Sequence, residues 1–400
     1  MKSAPAIPRG VWVLGFVSLL MDISSEMIHG LLPLYLTIGL GASTLVVGVI
    51  EGMAEATALI VKVFSGTLSD RWRKRKAITA FGYGLAAFSK PLFAIATGPM
   101  LVFFARFLDR IGKGIRGAPR DALIADLTPD AIRGAAFGLR QSLDTVGAVA
   151  GPLLAMALML AWNDDFRAVF WVAVVPAILS FLLVLFAVKD PEVARSGADA
   201  TAQAPERPRL DLRTLRSLGR AFWAVTIAGG ALTLARFSEA FLILRASDLG
   251  LAAAYAPLVL VAMNVVYSVA AFPAGRLADR IAPRTLLLIG IALLVAADVA
   301  LASTRSLAGL AAGVALWGLH MGFTQGILAA MVAQAAPSHL HGTAFGAFNF
   351  ASGIALLAAS VIAGALWQLF GPGATFWAGA ALAGISALLA WSTLDSRRTP

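Results

Sequence analysis

Twelve stretches of this chain are apolar for long enough to cross a bilayer, and that removes most of fold space. They fall at about 11–38, 43–65, 77–97, 99–120, 134–160, 166–188, 221–244, 252–274, 284–303, 307–333, 342–369 and 371–393. Runs of roughly 18–25 apolar residues match the ~30 Å of hydrocarbon that a helix must cross. In lipid each backbone amide needs a partner within its own segment, so such runs are helices. Strands of a membrane barrel would be shorter and would alternate apolar with polar residues, and these do neither. The predicted fold class is all-α integral membrane. Composition agrees, with 59% hydrophobic and 14% charged residues, against about 25% charged in an average soluble domain.

Two of the turns between these runs are near copies. Residues 66–78 read GTLSDRWRKRKAI and residues 275–287 read GRLADRIAPRTLL. Gly66, Leu68, Asp70, Arg71 and Arg75 align with Gly275, Leu277, Asp279, Arg280 and Arg284. A repeated turn at the same place in two hydrophobic halves marks a transporter built by duplication. The turn resembles the loop signature of the major facilitator superfamily, G-x-L-a-D-R-x-G-R-K, which joins the second helix to the third in each half. Arg73 and Ala282 replace its second glycine, and Pro283 stands where a base is usual. The resemblance implies twelve transmembrane helices in two pseudo-symmetric six-helix halves, the major facilitator fold. It also implies a secondary active transporter that works by alternating access, with helices 1, 4, 7 and 10 around a central cavity. The expected halves are residues 1–188 and 221–400. Between them, 189–220 is a charged, Pro- and Ala-rich cytoplasmic linker whose end, 210–218, suits a short surface helix. The repeated turns are expected to act as a latch. Asp70 and Asp279 would accept hydrogen bonds at a neighbouring helix N-terminus, and Arg71, Arg75, Arg280 and Arg284 would face acids or lipid phosphates.

The net charge of +10 is explained by topology. Lys and Arg gather in 71–76, in 189–220, at Arg276, Arg280 and Arg284, and at Arg397 and Arg398, while the opposite turns near 39–44, 97–99 and 370–374 carry none. Arg167, Arg245 and Arg305 are the exceptions. This asymmetry puts both termini and the central linker in the cytoplasm of a multi-pass protein of the plasma membrane, the inner membrane of a bacterium. It argues against a nucleic-acid surface. The first run carries Asp22 and Glu26 and is too long for a cleaved signal peptide. Without cysteine there is no disulfide, thiol nucleophile or thiolate metal site. No nucleophile–base set and no phosphate-binding Walker loop is present, so neither an enzyme nor an ATP-driven pump is expected, and no cofactor. The expected partners are a small-molecule substrate, protons and the lipid bilayer, with the protein a monomer.

Ionisable residues inside the runs carry the functional information, because each is costly in hydrocarbon. The first five runs hold six acids (Asp22, Glu26, Glu51, Glu55, Asp109, Asp144) and six bases within the spans (Lys62, Lys90, Arg106, Arg110, Lys113, Arg140), with Arg116 and Arg120 near the cytoplasmic end of the fourth. Arg106 with Asp109, Asp109 with Lys113, and Arg140 with Asp144 have the spacing that joins side chains on one helix face. Asp22 and Glu26 lie four apart with no base at matching spacing. Two carboxylates on one face disfavour joint ionisation, which suits proton handling. The other reading pairs both with Arg106 or Arg110 of span 4. Glu51 and Glu55 repeat that geometry in span 2. In the second half, Arg236 and Glu239 have pairing spacing, His320 is a midspan residue of the type that titrates near physiological pH, and Asn264, Tyr267, Gln325 and Asn349 are polar.

The run from Arg110 to Gly114 resembles the superfamily's fourth-helix signature, whose arginine is associated in antiporters with proton transfer. Lys113 replaces its usual glutamine, and Arg116 stands where a small residue is common. Gly147, Gly151 and Pro152 resemble the G-x-x-x-G-P signature of superfamily antiporters. Glycines four apart permit close helix contact, and the proline permits a bend. The function implied is a proton-coupled efflux antiporter for a small molecule. The alternative is proton-driven uptake of an organic anion, a zwitterion or a metal chelate. A divalent metal held by Asp22, Glu26 and His29 is a minor variant.

Overall fold

The computed structural model describes residues 7–72, 74–129, 132–188, 212–278, 280–337 and 340–394, apart from the side chains of residues 67, 68, 70, 71 and 212–214. Twelve long helices account for nearly all of them: α1 (Arg9–His29), α2 (Thr44–Trp72), α3 (Arg75–Ala94), α4 (Pro99–Leu127), α5 (Arg133–Ala161) and α6 (Phe166–Ala187), then α7 in two pieces (Gly219–Ala235 and Ala240–Asp248), α8 (Leu258–Ala278), α9 (Pro283–Ser303), α10 (Leu307–Ala335), α11 (His341–Phe370) and α12 (Pro372–Thr393). Ten of these spans are long and apolar enough to cross a bilayer. The less apolar α3 and α4, which carry Lys90 and the Arg106–Lys113 cluster, complete the set. Helix starts follow local chemistry. The Asp165 side chain accepts from the backbone N–H groups of Arg167 and Ala168, and prolines open α4, α9 and α12. Pro283, out of place in the repeated turn, is the first residue of α9.

The two halves repeat one packing scheme. In the first, α1 packs on α5 and α6, α2 on α4, and α3 on α4 and α6. In the second, α7 packs on α11 and α12, α8 on α10, and α9 on α10 and α12. The halves meet along α2–α11 and α5–α8. Glycine makes the first seam possible: a Cβ on Gly48 would lie 2.2 Å from the Ser360 carbonyl oxygen, and one on Gly364 would lie 2.6 Å from that of Thr44. Exposed Phe81, Phe88, Trp171, Phe186, Phe272 and Trp391 coat the outer surface, as a lipid-facing belt requires.

At the end that holds residues 30–44 the halves touch. Gly30 lies against Pro257, the 32–34 turn packs on 240–248, and Thr44 Oγ1 donates to the Gly364 carbonyl at 3.2 Å. Towards the opposite end, Gly117 of α4, Gly138 of α5 and Gly326 of α10 face open space.

Two predicted runs are not continuous helices. The first breaks after His29, before Pro33, and ends in a π-helical turn over Tyr35–Gly39. The seventh breaks at residues 236–239, with Arg236 at φ −102°, ψ 84°. Backbone groups freed by a break need substitute partners. Here Ser238 N–H donates to Ser360 Oγ on α11, and Ala240 N–H donates to Ser238 Oγ, each at 3.2 Å. Of the expected linker, Leu212–Ser217 forms a short helix, and 189–211 lies outside the described residues. Of the expected latch, Asp279 and the side chains of Asp70 and Arg71 lie outside them too. Arg75 pairs with Asp126 of α4. Arg284 sits over the Trp391 ring of α12, 4.2 Å from its centroid. Gly66 faces Ala118 of α4, Gly275 faces open space, and Arg280 N–H donates to the Leu277 carbonyl at 3.0 Å.

Candidate functional site: a charged cavity between the halves

A cavity of about 300 Å³ lies between the halves. Its first wall is Glu26 and His29 from α1, Glu55 from α2, and Arg110 and Lys113 from α4. The facing wall is the α7 break, Arg236 to Glu239, with Asn264 of α8 and Gln325 of α10. Only Ala148, Phe237 and Leu356 are apolar among the lining residues.

Behind the first wall is a chain of buried ion pairs. Arg106 donates to Glu51 at 2.8 Å and lies 3.8 Å from Glu55, which is also 3.4 Å from Arg110. Lys90 of α3 donates to Asp109 at 2.8 Å and to Ser25 Oγ at 3.0 Å. The His29 ring joins two acids, with Nδ1 3.5 Å from Glu26 and Nε2 3.7 Å from Glu51. Towards the end opposite residues 30–44, Arg140 donates to Asp144 at 2.8 Å, Arg120 lies 3.1 Å from Asp121, and Arg116 stacks on Tyr83.

Several expected partnerships are corrected. Asp109 pairs with Lys90 on the neighbouring helix and not with Arg106 or Lys113 on its own, where Arg110 lies 3.6 Å away, while Arg140 does meet Asp144. Glu26 meets His29 and not Arg106 or Arg110. Asp22 forms no ion pair with another described residue and lies beside Gly147. Arg236 and Glu239 do not pair within 4.0 Å, because the helix that would align them is broken there. His320 is buried outside the cavity, with Nδ1 2.7 Å from the Gly290 carbonyl of α9. Five positions further, about 140° round α10, Gln325 faces the cavity instead. Asp22, Glu26 and His29 form no metal-ligand set, and among the described residues no three such groups do.

Gly147 and Gly151 do bring helices together, and the partner is α1. A Cβ on Gly147 would lie 2.9 Å from Asp22 Cβ, and one on Gly151 would lie 3.0 Å from Glu26 Cβ. Pro152 is buried within α5. The sequence did not single out Asp298 of α9, which is fully buried with neither carboxylate oxygen hydrogen-bonded. The signal was there, an acid alone in the apolar run AADVA.

Two six-helix repeats around a charged central cavity, with broken helices facing it, define a membrane transporter of the secondary type. The sequence matches the Major Facilitator Superfamily over residues 14–244 and 237–400, and the chain belongs to that family. It is 31% identical to an uncharacterized MFS-type transporter of Methanocaldococcus jannaschii over 96% of this chain and 94% of that one. It is 30% identical to the multidrug resistance protein MdtH of Photorhabdus laumondii over 40% of this chain and 39% of that one. Among solved structures, the nucleoside transporter NupG superposes with TM-score 0.80 at 12% identity, covering 97% of this chain and all of that one. A bacterial homologue of the lysosomal transporter Spinster, inward-facing and unoccupied, gives 0.74 at 16% identity with both chains fully covered. The protein is a multi-pass membrane transporter and not an enzyme.

Proposed function

We propose that the protein is a proton-coupled exporter of a small molecule, and that the proton is handled by Glu26, His29 and Glu51. The observation that carries this is the His29 ring between two carboxylates at the cavity edge, with Glu51 itself held by Arg106 at 2.8 Å. Histidine is the side-chain type that changes charge near physiological pH. A proton on His29 strengthens its hold on both acids, and its loss frees them to respond to the cavity. Asp22, one turn along α1 and without an ionic partner, is a second carrier on the same helix. Two features favour export: the α5 glycines that hold α1 at Asp22 and Glu26, and the multidrug resistance proteins among the relatives.

Residues 1–188 and 221–400 are taken as the halves that rock, with the termini and the 189–220 tether in the cytoplasm. The halves then touch at the outer face and the cavity addresses the cytoplasm. The turns at Asp70 and Asp279 act as the latch at the inner face.

The test is transport by purified protein in vesicles. His29→Gln should lose uphill transport driven by a pH gradient at least tenfold and keep counterflow, which needs no proton movement. Unchanged gradient-driven transport in His29→Gln would reject this coupling site. Intracellular substrate should fall when the transporter is expressed and recover when the proton gradient is collapsed. Gradient-dependent accumulation inside cells would establish uptake instead.

A further inference from the structure

The charge layout of the cavity narrows the substrate, and this step rests on the transport function proposed above. Seven of the lining side chains are ionisable, and their signs balance: Glu26, Glu55 and Glu239 against Arg110, Lys113 and Arg236, with His29 beside Glu26. On the first wall, Glu55 is engaged by Arg110 and Glu26 by His29. Arg236 and Glu239 on the facing wall form no ion pair within 4.0 Å with any described residue, and neither does Lys113. Unpaired groups of both signs therefore face the same small space. A partly enclosed, unpaired charge is costly, and a ligand of opposite sign relieves that cost.

We infer that the substrate is a small dipolar molecule, with its anionic group taken by Arg236 and Lys113 and its cationic group by Glu239. Arg236 and Glu239 stand at the two ends of the α7 break, three positions apart, so one short segment of chain offers a charge of each sign to the cavity. The volume of about 300 Å³ is at the lower bound of ligand pockets, roughly 300–1,000 Å³, which are mostly apolar when they serve drug-like molecules. This lining is mostly polar. Amino acids, betaines and short peptides have the required chemistry, and large hydrophobic cations do not. Phe237, between Arg236 and Ser238 in the break, offers the one aromatic contact for a side chain.

The experiment follows the thermal stability of the purified full-length protein against three probe sets. The first is a panel of small zwitterions: α-amino acids, betaines and dipeptides. The second is the methyl ester of whichever zwitterion binds and its N-acetyl form, or for a betaine the isostere with carbon in place of the quaternary nitrogen, which remove one charge at a time. The third is tetraphenylphosphonium and ethidium. At least one zwitterion should raise Tm, and each singly charged form should need at least tenfold more ligand for the same shift. Arg236→Gln should weaken the zwitterion and the N-acetyl form and spare the ester; Glu239→Gln should weaken the zwitterion and the ester and spare the N-acetyl form. Arg236→Lys should restore binding, which separates lost charge from lost fold. The proposal is overturned if no zwitterion shifts Tm, if both substitutions leave the shift unchanged, or if only the hydrophobic cations bind. Counterflow of the bound compound in vesicles distinguishes the two layers. A zwitterion that binds through Arg236 and Glu239 but is not carried rejects transport and keeps the ligand class. A carried hydrophobic cation keeps transport and rejects the class.

Discussion

Lys90 and Asp109 are buried to within a few per cent and joined at 2.8 Å, with Arg110 3.6 Å from the other carboxylate oxygen of Asp109. Breaking a buried pair by removing one partner costs about 3–5 kcal/mol, whereas replacing both by apolar groups is often neutral. Lys90→Met alone should therefore lower Tm strongly, and Lys90→Met with Asp109→Leu should recover most of the loss. Tm values of the two single variants and the double variant in detergent check this, and additive losses would show that the pair is not a unit. Asp298 poses the opposite case. Its carboxylate has no hydrogen-bond partner among the described residues, and it packs close to Gly379, where a Cβ would come 2.6 Å from Oδ2. Removing an unsatisfied buried polar group is neutral or favourable, so Asp298→Ala should hold or raise stability, by up to about 1 kcal/mol. A clear loss of Tm would reveal a bound water or ion at that carboxylate. Both residues mark where the sequence is legible and where it is not. Spacing along one helix identified Arg140 with Asp144, but Lys90 reaches Asp109 from the next helix, a distance that no periodicity encodes.

The twelve apolar runs locate the helices because lipid leaves no alternative backbone, yet they do not show where a helix is interrupted. Nothing in LTLARFSEAFL looks like a breaker, since it contains neither Gly nor Pro. The interruption of α7 depends on Ser360 of α11 supplying a partner for the Ser238 N–H. A contact made across more than a hundred residues is legible only in the fold. Within the elements, α5 offers a clear test. Gly151 faces Ile23 and Glu26 of α1 so closely that an added Cβ would lie 2.7 Å from a backbone oxygen. Overpacking costs typically 1–3 kcal/mol, so Gly151→Leu should lower Tm, weaken transport and speed passive proton leak in vesicles. Gly134→Ala, at a position with open space, should leave all three near the wild-type values. Equal behaviour of the two variants would dismiss the α1–α5 contact as a seal.

At the scale of the whole molecule, the halves touch around residues 30–44 and along the α2–α11 seam. If the halves rock as proposed, the Gly30–Pro257 contact opens once per cycle. The chain has no cysteine, so a disulfide can be introduced without competing thiols. The Cβ atoms at these positions would be 3.2 Å apart, close to the ~3.5–4.5 Å that a disulfide spans. Gly30→Cys with Pro257→Cys should stop transport when oxidised, regain it on reduction, and leave binding from the open end intact. Full transport by the oxidised protein would rule out opening at this contact.

One residue joins that motion to the cavity. Ser360 supports the α7 break through its hydroxyl, and its own backbone sits in the notch that Gly48 of α2 leaves for it. Its two sides thus belong to different tasks, one holding the ligand-facing strand of chain and the other bearing on the opposite half. In mechanical terms Ser360 is a fulcrum. If Arg236 and Glu239 grip the cargo as proposed, a molecule that pulls them towards itself would load a lever whose pivot is the α2–α11 seam, so that gripping the cargo and tilting the halves would be one displacement.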